Sequence, residues 1–410
     1  MKKNKKKILV VNAISLFPTY MMSQQRALDQ IYTLAKEHEV DVLTFNKNDE
    51  QSSISMQKFS GKINKYIALK TINNDEDLIS KYYYNIKFLA KYYLLGIRRE
   101  VSKYSTNFYT KSIINIINEN KYDVVISHYW WFSLFFTKHL KYNPLKVLDL
   151  HAMVEEDIQL NDNNVYYKKN QWQEKRKNKK NLRFQKNVYK NVNLIVPNSI
   201  NQASILQKEY PKAEFYYCPN GQNLDHFSQE HKENYDKDTI LFYGSLGALQ
   251  NINAFKYFYN NVWPIVYEKN KNAKILIVGN NPPEWIKELN SNPNITITGF
   301  VEDVRQYISK ACCMVLPMDI GVGFRGRVVE VMAMGVPVIG NHNALDCIEL
   351  ENETNGFVTD DYKLMAKYAL ELMGDNSYRE KISNSTMKFV NEKYSIGSTY
   401  GKLSDYIAAK

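Results

Sequence analysis

Short runs of β-branched and aliphatic residues alternate along the chain with longer stretches in which apolar positions recur every three or four residues. The first pattern reads as strands buried on both faces and the second as amphipathic helices, so the alternation predicts parallel α/β layers. In the first half, strands are expected at 8–12, 40–44, 124–127, 146–150 and 194–197, with a helix over 23–37. A polar stretch at 46–60 breaks the alternation as a surface excursion. Residues 79–120 read as two helices, the first crowded with Tyr82, Tyr83, Tyr84, Phe88, Tyr92 and Tyr93. A long basic surface helix is expected over 168–190, punctuated by Trp172, Leu182 and Phe184. The polar segment 225–238 is the best linker, and a second alternating series follows it. Its strands are expected at 240–243, 274–278, 295–298, 313–317 and 336–339, and its helices at 253–268, 283–289, 303–309 and 327–334. Helices from 361 to 393 and a last one from about 398 close the chain, and no internal repeat is evident.

At 410 residues the chain exceeds what one hydrophobic core usually holds, so two domains are expected. With 44% hydrophobic and 24% charged residues, it has the composition of an ordinary globular protein. The net charge of +11 is unevenly placed: residues 1–200 carry 33 Lys and Arg against 18 Asp and Glu, and the remainder 21 against 25. A basic first half suits an anionic partner, such as a membrane surface or an acidic acceptor; solvated lysines from compositional bias are the equal alternative. Nucleic acid is not expected, because no recognisable module accompanies the charge. The four cysteines, Cys218, Cys312, Cys313 and Cys347, form no C-x-x-C pair, which argues against zinc and a disulfide framework. The lysine-rich start meets only a short apolar run and no cleavage site, and no run reaches the ~18 apolar residues of a spanning helix. A cytoplasmic protein, peripheral at most to the inner face of a membrane, is expected.

The segment richest in chemistry is Gly321-Val322-Gly323-Phe324-Arg325-Gly326-Arg327-Val328-Val329-Glu330, between an expected strand and helix. Glycines let backbone approach an anion, a helix N-terminus offers free N–H groups, and two arginine forks match phosphate oxygens. Glu330, a turn further on, is placed to accept ribose hydroxyls. The same letters spell the G-x-G-x-x-G of dinucleotide sites, but that reading wants an acid ending the next strand. Here that position reads Gly340-Asn341-His342-Asn343, and Asp346 lies beyond it. A separately bound nucleoside diphosphate is therefore preferred over NAD and over a structural glycine turn.

Together with Gly299-Phe300-Val301-Glu302-Asp303-Val304, Val315-Leu316-Pro317 and Glu330-Val331-Met332-Ala333-Met334-Gly335-Val336-Pro337-Val338, this loop resembles the donor half of family-four retaining glycosyltransferases, the glycosyl transferases group 1. Phe242-Tyr243-Gly244-Ser245-Leu246, Asn253, Ala254, Trp263-Pro264, Ile277-Val278-Gly279 and Pro219-Asn220-Gly221 fall in the matching order, so the resemblance spans 219–340. It implies an α/β GT-B fold, two Rossmann-like domains with parallel sheets facing across a cleft. The divisions would be 1–222, a linker at 223–238, and 239–393, with a last helix at 394–410 crossing back. By resemblance Arg325 and Arg327 hold the diphosphate, Glu330 holds the ribose, and Val301 and Asp303 sit beside the base. Gly244, Ser245, Gly279, Gly321 and Gly323 complete the donor site. The sequence departs from the many members with a second acid eight positions before Glu330, where it has Val322; it is similar instead to the subgroup with Gly-x-Gly-x-Arg-x-Lys, Arg327 replacing the lysine.

The acceptor half is less legible. Asp149 and His151, ending the strand at 146–150, are the candidate catalytic pair beside Arg325 and Arg327, because a carboxylate and an imidazole there can assist proton removal. A hydrogen-bonded strand-end pair is the alternative, and His128 is a second candidate. Glu155, Glu156 and Asp157 read as a helix start in a flexible loop, and Asp75-Glu76-Asp77, though it spells D-x-D, as a solvated loop. The loop 14–23 should face the cleft, but has Met21-Met22-Ser23 where the family often has paired glycines. No metal and no cofactor is expected: arginines and a helix dipole can neutralise the leaving diphosphate. The expected donor is a nucleoside-diphosphate sugar, UDP before GDP, and the expected acceptor a carbohydrate, glycolipid or glycoprotein. A sugar-nucleotide epimerase and a catalytically silent, partner-stabilising homologue are the rival readings.

Overall fold

A computed structural model describes residues 4–13, 16–17, 22–45, 59, 61–69, 107–156, 158, 171–227, 235–319, 324–345 and 347–410. The aromatic helix at 79–93, the D-x-D stretch, Asp157, Gly321, Val322, Gly323, Asp346 and most of 46–60 and of 14–21 lie outside these residues. The chain divides into two compact units: Met1–Pro219 with Thr399–Lys410, and Asn220–Ser398. The boundary precedes the expected linker. Leu224 is buried in the second core and strand β7 already begins at Asp236, so most of the polar stretch at 225–238 is flanked by elements of the second unit.

In the first unit, β1 (Lys7–Val11), β2 (Glu39–Phe45), β3 (Lys65–Leu69), β4 (Val124–His128), β5 (Leu145–Asp149) and β6 (Leu194–Val196) form one parallel sheet in the order β3-β2-β1-β4-β5-β6. Ile8 through Val11 are fully buried, as a central parallel strand with helices over both faces requires. Register follows from that pattern: Ile8 lies opposite Val40 on one side and Val124 on the other. Helices α1 (Met22–Ala35), α2 (Asn107–Asn120), α3 (Gln171–Tyr189) and α4 (Ile200–Glu209) flank the sheet. The basic α3 turns Asn178, Asn181, Gln185 and Val188 inward and leaves Lys175, Arg176, Lys179, Arg183 and Lys186 exposed. Glu155 and Glu156 are not in a loose loop. Glu155 accepts from Gln185 Nε2 and Tyr210 Oη, and Glu156 accepts from Met153 N at 2.8 Å and Gln202 Nε2 at 2.9 Å.

The second unit repeats the plan. β7 (Asp236–Tyr243), β8 (Lys274–Val278), β9 (Ile295–Ile297), β10 (Ala311–Leu316), β11 (Val338–Gly340) and β12 (Phe357–Val358) are parallel in the order β12-β11-β10-β7-β8-β9. The helix expected at 253–268 runs as α5 (Leu249–Tyr257), a π-helical turn at Phe258–Val262, and α6 (Trp263–Lys269). Next come α7 (Gly326–Ala333), α8 (Tyr362–Gly374) and α9 (Asn376–Tyr394), the last two N-capped by the Asp361 and Asp375 carboxylates. All four cysteines are free and buried, Cys312 and Cys313 inside β10. No helix among the described residues is long and apolar enough to cross a membrane.

Each strand order reverses direction once, between β1 and β4 and between β7 and β10, and ligands of doubly wound sheets bind beyond the carboxyl ends at such a point. At the β7 edge the backbones nearly touch: a Cβ on Gly279 would lie 1.9 Å from the Gly244 carbonyl oxygen. Gly279→Ala is therefore expected to force strand ends apart and cost about 1–3 kcal/mol, read as a lower urea midpoint at unchanged m-value. Unchanged stability would mean that the two strand ends can separate freely.

Candidate functional site

In the second unit, α7 begins directly on the arginine pair. Arg325 is its N-cap residue, with φ −101° and ψ 81°, and its side chain makes no cap hydrogen bond. The N–H groups that open a helix favour anions. Arg325 is buried to 8% exposure. Arg327 Nη2 donates to Asn251 Oδ1 at 2.9 Å, and Asn251 Nδ2 donates to the Ser245 carbonyl at 2.7 Å. Ser245 thereby enters through its backbone. A Cβ on Gly244 would meet Arg327 Nη1 at 2.5 Å, so any larger residue there would displace the Arg327 guanidinium. Glu330 accepts from the Tyr243 hydroxyl at 3.3 Å.

The electrostatics are those of an incomplete site. Burial, and then the adjacent Arg325, lower the Arg327 guanidinium to about 10. Its Nε is buried with no hydrogen-bond partner among the described residues. Burial also raises the Glu330 carboxyl, against the pull of Tyr243 and Arg327. Two crowded guanidinium groups beside a helix N-terminus are stabilised by an added anion.

The expected base-side residues diverge. Val301 is partly buried against the core, and Phe300 beside it stands 76% exposed after Gly299, whose φ is +67°. Asp303 is engaged locally: both its oxygens accept from Arg305, at 2.9 Å from Nε and 2.7 Å from Nη2, which with the Arg305 backbone N–H holds the carboxyl at about 2. A cavity of about 520 Å³ opens past β10 and β11, lined by Met318, Asp319, Asn341 and Asn343 among others. Met318 Sδ is 3.8 Å from Arg327 Nη2, so the cavity adjoins the arginine site. Much of its amide capacity is already spent on the Met318 and Asp319 backbone.

In the first unit the carboxyl edge gathers a buried cluster. Asp149 ends β5 with both oxygens occupied: Oδ1 accepts from Arg26 Nε at 2.9 Å, and Oδ2 from Arg26 Nη2 at 2.9 Å and Gln30 Nε2 at 2.7 Å. Arg26 Nη1 continues to the Cys218 and Pro219 carbonyls at 3.0 and 3.1 Å. His151 Nε2 lies 3.3 Å from Asp149 Oδ1 and 2.9 Å from His128 Nδ1. The direction of the hydrogen bond between the two imidazoles is set by their tautomers. Tyr129, at φ +68°, stacks on His151 with ring centroids 4.3 Å apart. A bulky residue held at positive φ at a strand end marks a built site.

This alters the expected catalytic pair. Asp149 is fully buried and saturated, which leaves it the work of holding Arg26 and the imidazoles rather than meeting an acceptor hydroxyl. Burial would raise its carboxyl, but Arg26 and the two histidines outweigh that and hold it at about 2. Burial dominates at the histidines, lowering His128 to about 4 and His151 to about 3 despite Asp149. His128, Asp149 and His151 bring three metal-ligating atoms within 4.8 Å, yet Arg26 already supplies the positive charge there. Arg26, Gln30, Asn251 and Tyr243 were missed in the sequence; an Arg and a Gln four apart on an otherwise apolar helix face was the available signal for the first two.

Residues 237–375 match the family model described as Glycosyl transferases group 1. That stretch is similar to the glycosyl transferases of group 1. It contains Gly244, Ser245, Arg325, Arg327 and Glu330. The capsular polysaccharide biosynthesis glycosyltransferase CapM of Staphylococcus aureus is 30% identical over 141 residues, 32% of this chain and 36% of that protein. The chain thus spans about a third of the length of that curated relative. Among solved structures, HepE of Anabaena in complex with UDP and glucose is 12% identical, with TM-score 0.61 over 99% of this chain and 100% of that one. TarM is 11% identical, with TM-score 0.66 over the same shares. These likenesses establish an α/β GT-B fold.

Two outcomes follow for the first unit. Asp149→Asn leaves the Arg26 charge buried against a neutral amide and is expected to cost about 3–5 kcal/mol in urea unfolding; a change within error would deny the pair any structural role. Both histidines have folded values below the unfolded 6.5, so the unfolded chain binds more protons on acidification. Their contribution is full above pH 6.5 and is lost as pH falls toward 4, with that of Asp149 following between 3.8 and about 2. Stability should fall by on the order of 3 kcal/mol between pH 7 and pH 4.5, and a flat profile would contradict the buried neutral pair.

Proposed function

We propose that this chain is a glycosyltransferase that moves a sugar from a nucleoside diphosphate, UDP before GDP, onto an acceptor hydroxyl. The observation that carries the reading is the buried arginine pair at the start of α7, with Arg327 Nε lacking a partner among the described residues, at the β7/β10 reversal. Arg325 and Arg327 would take the diphosphate and neutralise it as it leaves, so that no metal is needed. Glu330, its carboxyl oriented by Tyr243, would accept from ribose hydroxyls. The Val301 backbone would meet the base, with exposed Phe300 offering it an aromatic face. Retention of configuration and a carbohydrate, glycolipid or glycoprotein acceptor are the outcomes that the family resemblance implies.

On the acceptor side, His151 and Tyr129 would orient the hydroxyl. A histidine lowered to about 3 is a weak base, which places the burden of catalysis on the leaving diphosphate. The exposed lysines of α3 would rest the protein against an anionic, cytoplasmic membrane face.

Thermal unfolding with UDP, GDP, ADP, CMP and NAD in parallel tests the donor site. A ligand at 100 times its dissociation constant should add about 2.7 kcal/mol. The expected result is a rise with one nucleoside diphosphate that Arg325→Ala and Arg327→Ala abolish. A rise with NAD alone would overturn the reading. Product analysis with and without acceptor then separates transfer from epimerisation of the donor.

A further inference from the structure

A second cationic pocket lies at the opposite end of the second unit's sheet. Arg325 and Arg327 serve the carboxyl edge, whereas this cavity of about 350 Å³ sits at the amino ends of β7 and β10. The length of β10, about 20 Å at ~3.3 Å per residue, separates the two. Tyr235, Ala311, Val336, Arg379, Ser383 and Asn384 are among the lining residues.

Arg379, in the first turns of α9, is only 9% exposed. Its guanidinium lies over the Tyr235 ring, 3.7 Å from the centroid. The Tyr235 hydroxyl donates to Asn376 Oδ1, which orients the ring. Arg379 Nε is buried with no hydrogen-bond partner, and no described carboxylate pairs with the group. The nearby acids are engaged elsewhere: Asp375 accepts from Tyr378 N at 2.9 Å, and Glu380 at the mouth accepts from Asn376 Nδ2 at 3.0 Å. Ser383 Oγ donates to the Gly335 carbonyl, which keeps the hydroxyl turned to that wall.

A guanidinium withdrawn from water is costly unless answered, and one aromatic face offsets only part of that cost. The remaining fork geometry matches a planar or tetrahedral oxyanion. The cavity is the size of a small-molecule site, with Ala311, Met334 and Val336 as an apolar wall and Asn384 exposed at the rim. We propose that this pocket binds the phosphate or carboxylate group of a small metabolite on Arg379, at a site separate from the arginine pair of α7. Because Met334, Gly335 and Val336 also end α7, the occupant would sit against the far end of the helix that carries Arg325 and Arg327.

Isothermal titration of the full chain with inorganic phosphate and with succinate, at matched ionic strength, tests this. Saturable binding of either is expected in the Arg325→Ala/Arg327→Ala background, which removes the anion site at α7, and is weakened at least tenfold when Arg379→Met is added. Phosphate binding alone would identify a phosphorylated occupant, and succinate alone a carboxylate. Should Arg379→Met fail to fold, Asn384→Trp, at an exposed rim position, keeps the guanidinium and fills the mouth, and the same loss is expected. Absence of saturable binding in the Arg325→Ala/Arg327→Ala background, or binding there that survives Arg379→Met or Asn384→Trp, overturns the proposal.

Discussion

The first unit is organised around one guanidinium. Arg26 comes from the helix after β1, its carboxylate partner from the end of β5, and its carbonyl acceptors from Cys218 and Pro219, where the chain leaves the unit. Its guanidinium carbon also lies 5.6 Å from the ring centroid of Tyr400, on the segment that returns. A buried ion pair is weak evidence for net stability, since desolvation offsets much of the attraction, but breaking one is costly. Its contribution here is geometric: four distant pieces of chain are held to one point, and the two imidazoles are set against the same carboxylate.

The units share a strand order and put opposite electrostatics at the same topological place. At the β7/β10 reversal, two cations crowd together and Arg327 falls to about 10. At the β1/β4 reversal, Arg26 is already neutralised by Asp149 and burial keeps the histidines uncharged. Equivalent backbone positions thus become a crowded cationic edge in one unit and a neutral polar edge in the other, through side chains alone.

What was legible in the sequence follows from the same physics. Central strands such as β1 and β8 announce themselves because both faces are buried, so their residues run uninterrupted as aliphatics. β3 and β12 escaped notice for the opposite reason: each is a sheet-edge strand, the first with exposed Lys65 and the second only two residues long. The arginine pair stands out in the sequence because glycines, a helix start and two guanidinium forks, the pattern that suits an anion, fall close together there. The Arg26–Asp149–His151 cluster was only half readable. Its carboxylate and imidazole lie two residues apart, but the group that saturates them arrives from 123 positions away. Periodicity likewise predicts a helix through 253–268 and carries no sign of the π-helical turn at Phe258–Val262, which leaves the apolar face continuous.

Residues 399–410 belong to the first unit while the second occupies an unbroken stretch between. His38 Nε2 meets Ser404 Oγ at 3.3 Å, and Glu214 accepts from Tyr406 at 2.7 Å and pairs with Lys410. On the ribosome, where chains emerge at about 5–20 residues per second, order of synthesis and order of completion are therefore reversed. The half made second has its described strands in hand first, and the half made first waits, with Arg26 lacking the Tyr400 ring, until residues 399–410 have been made.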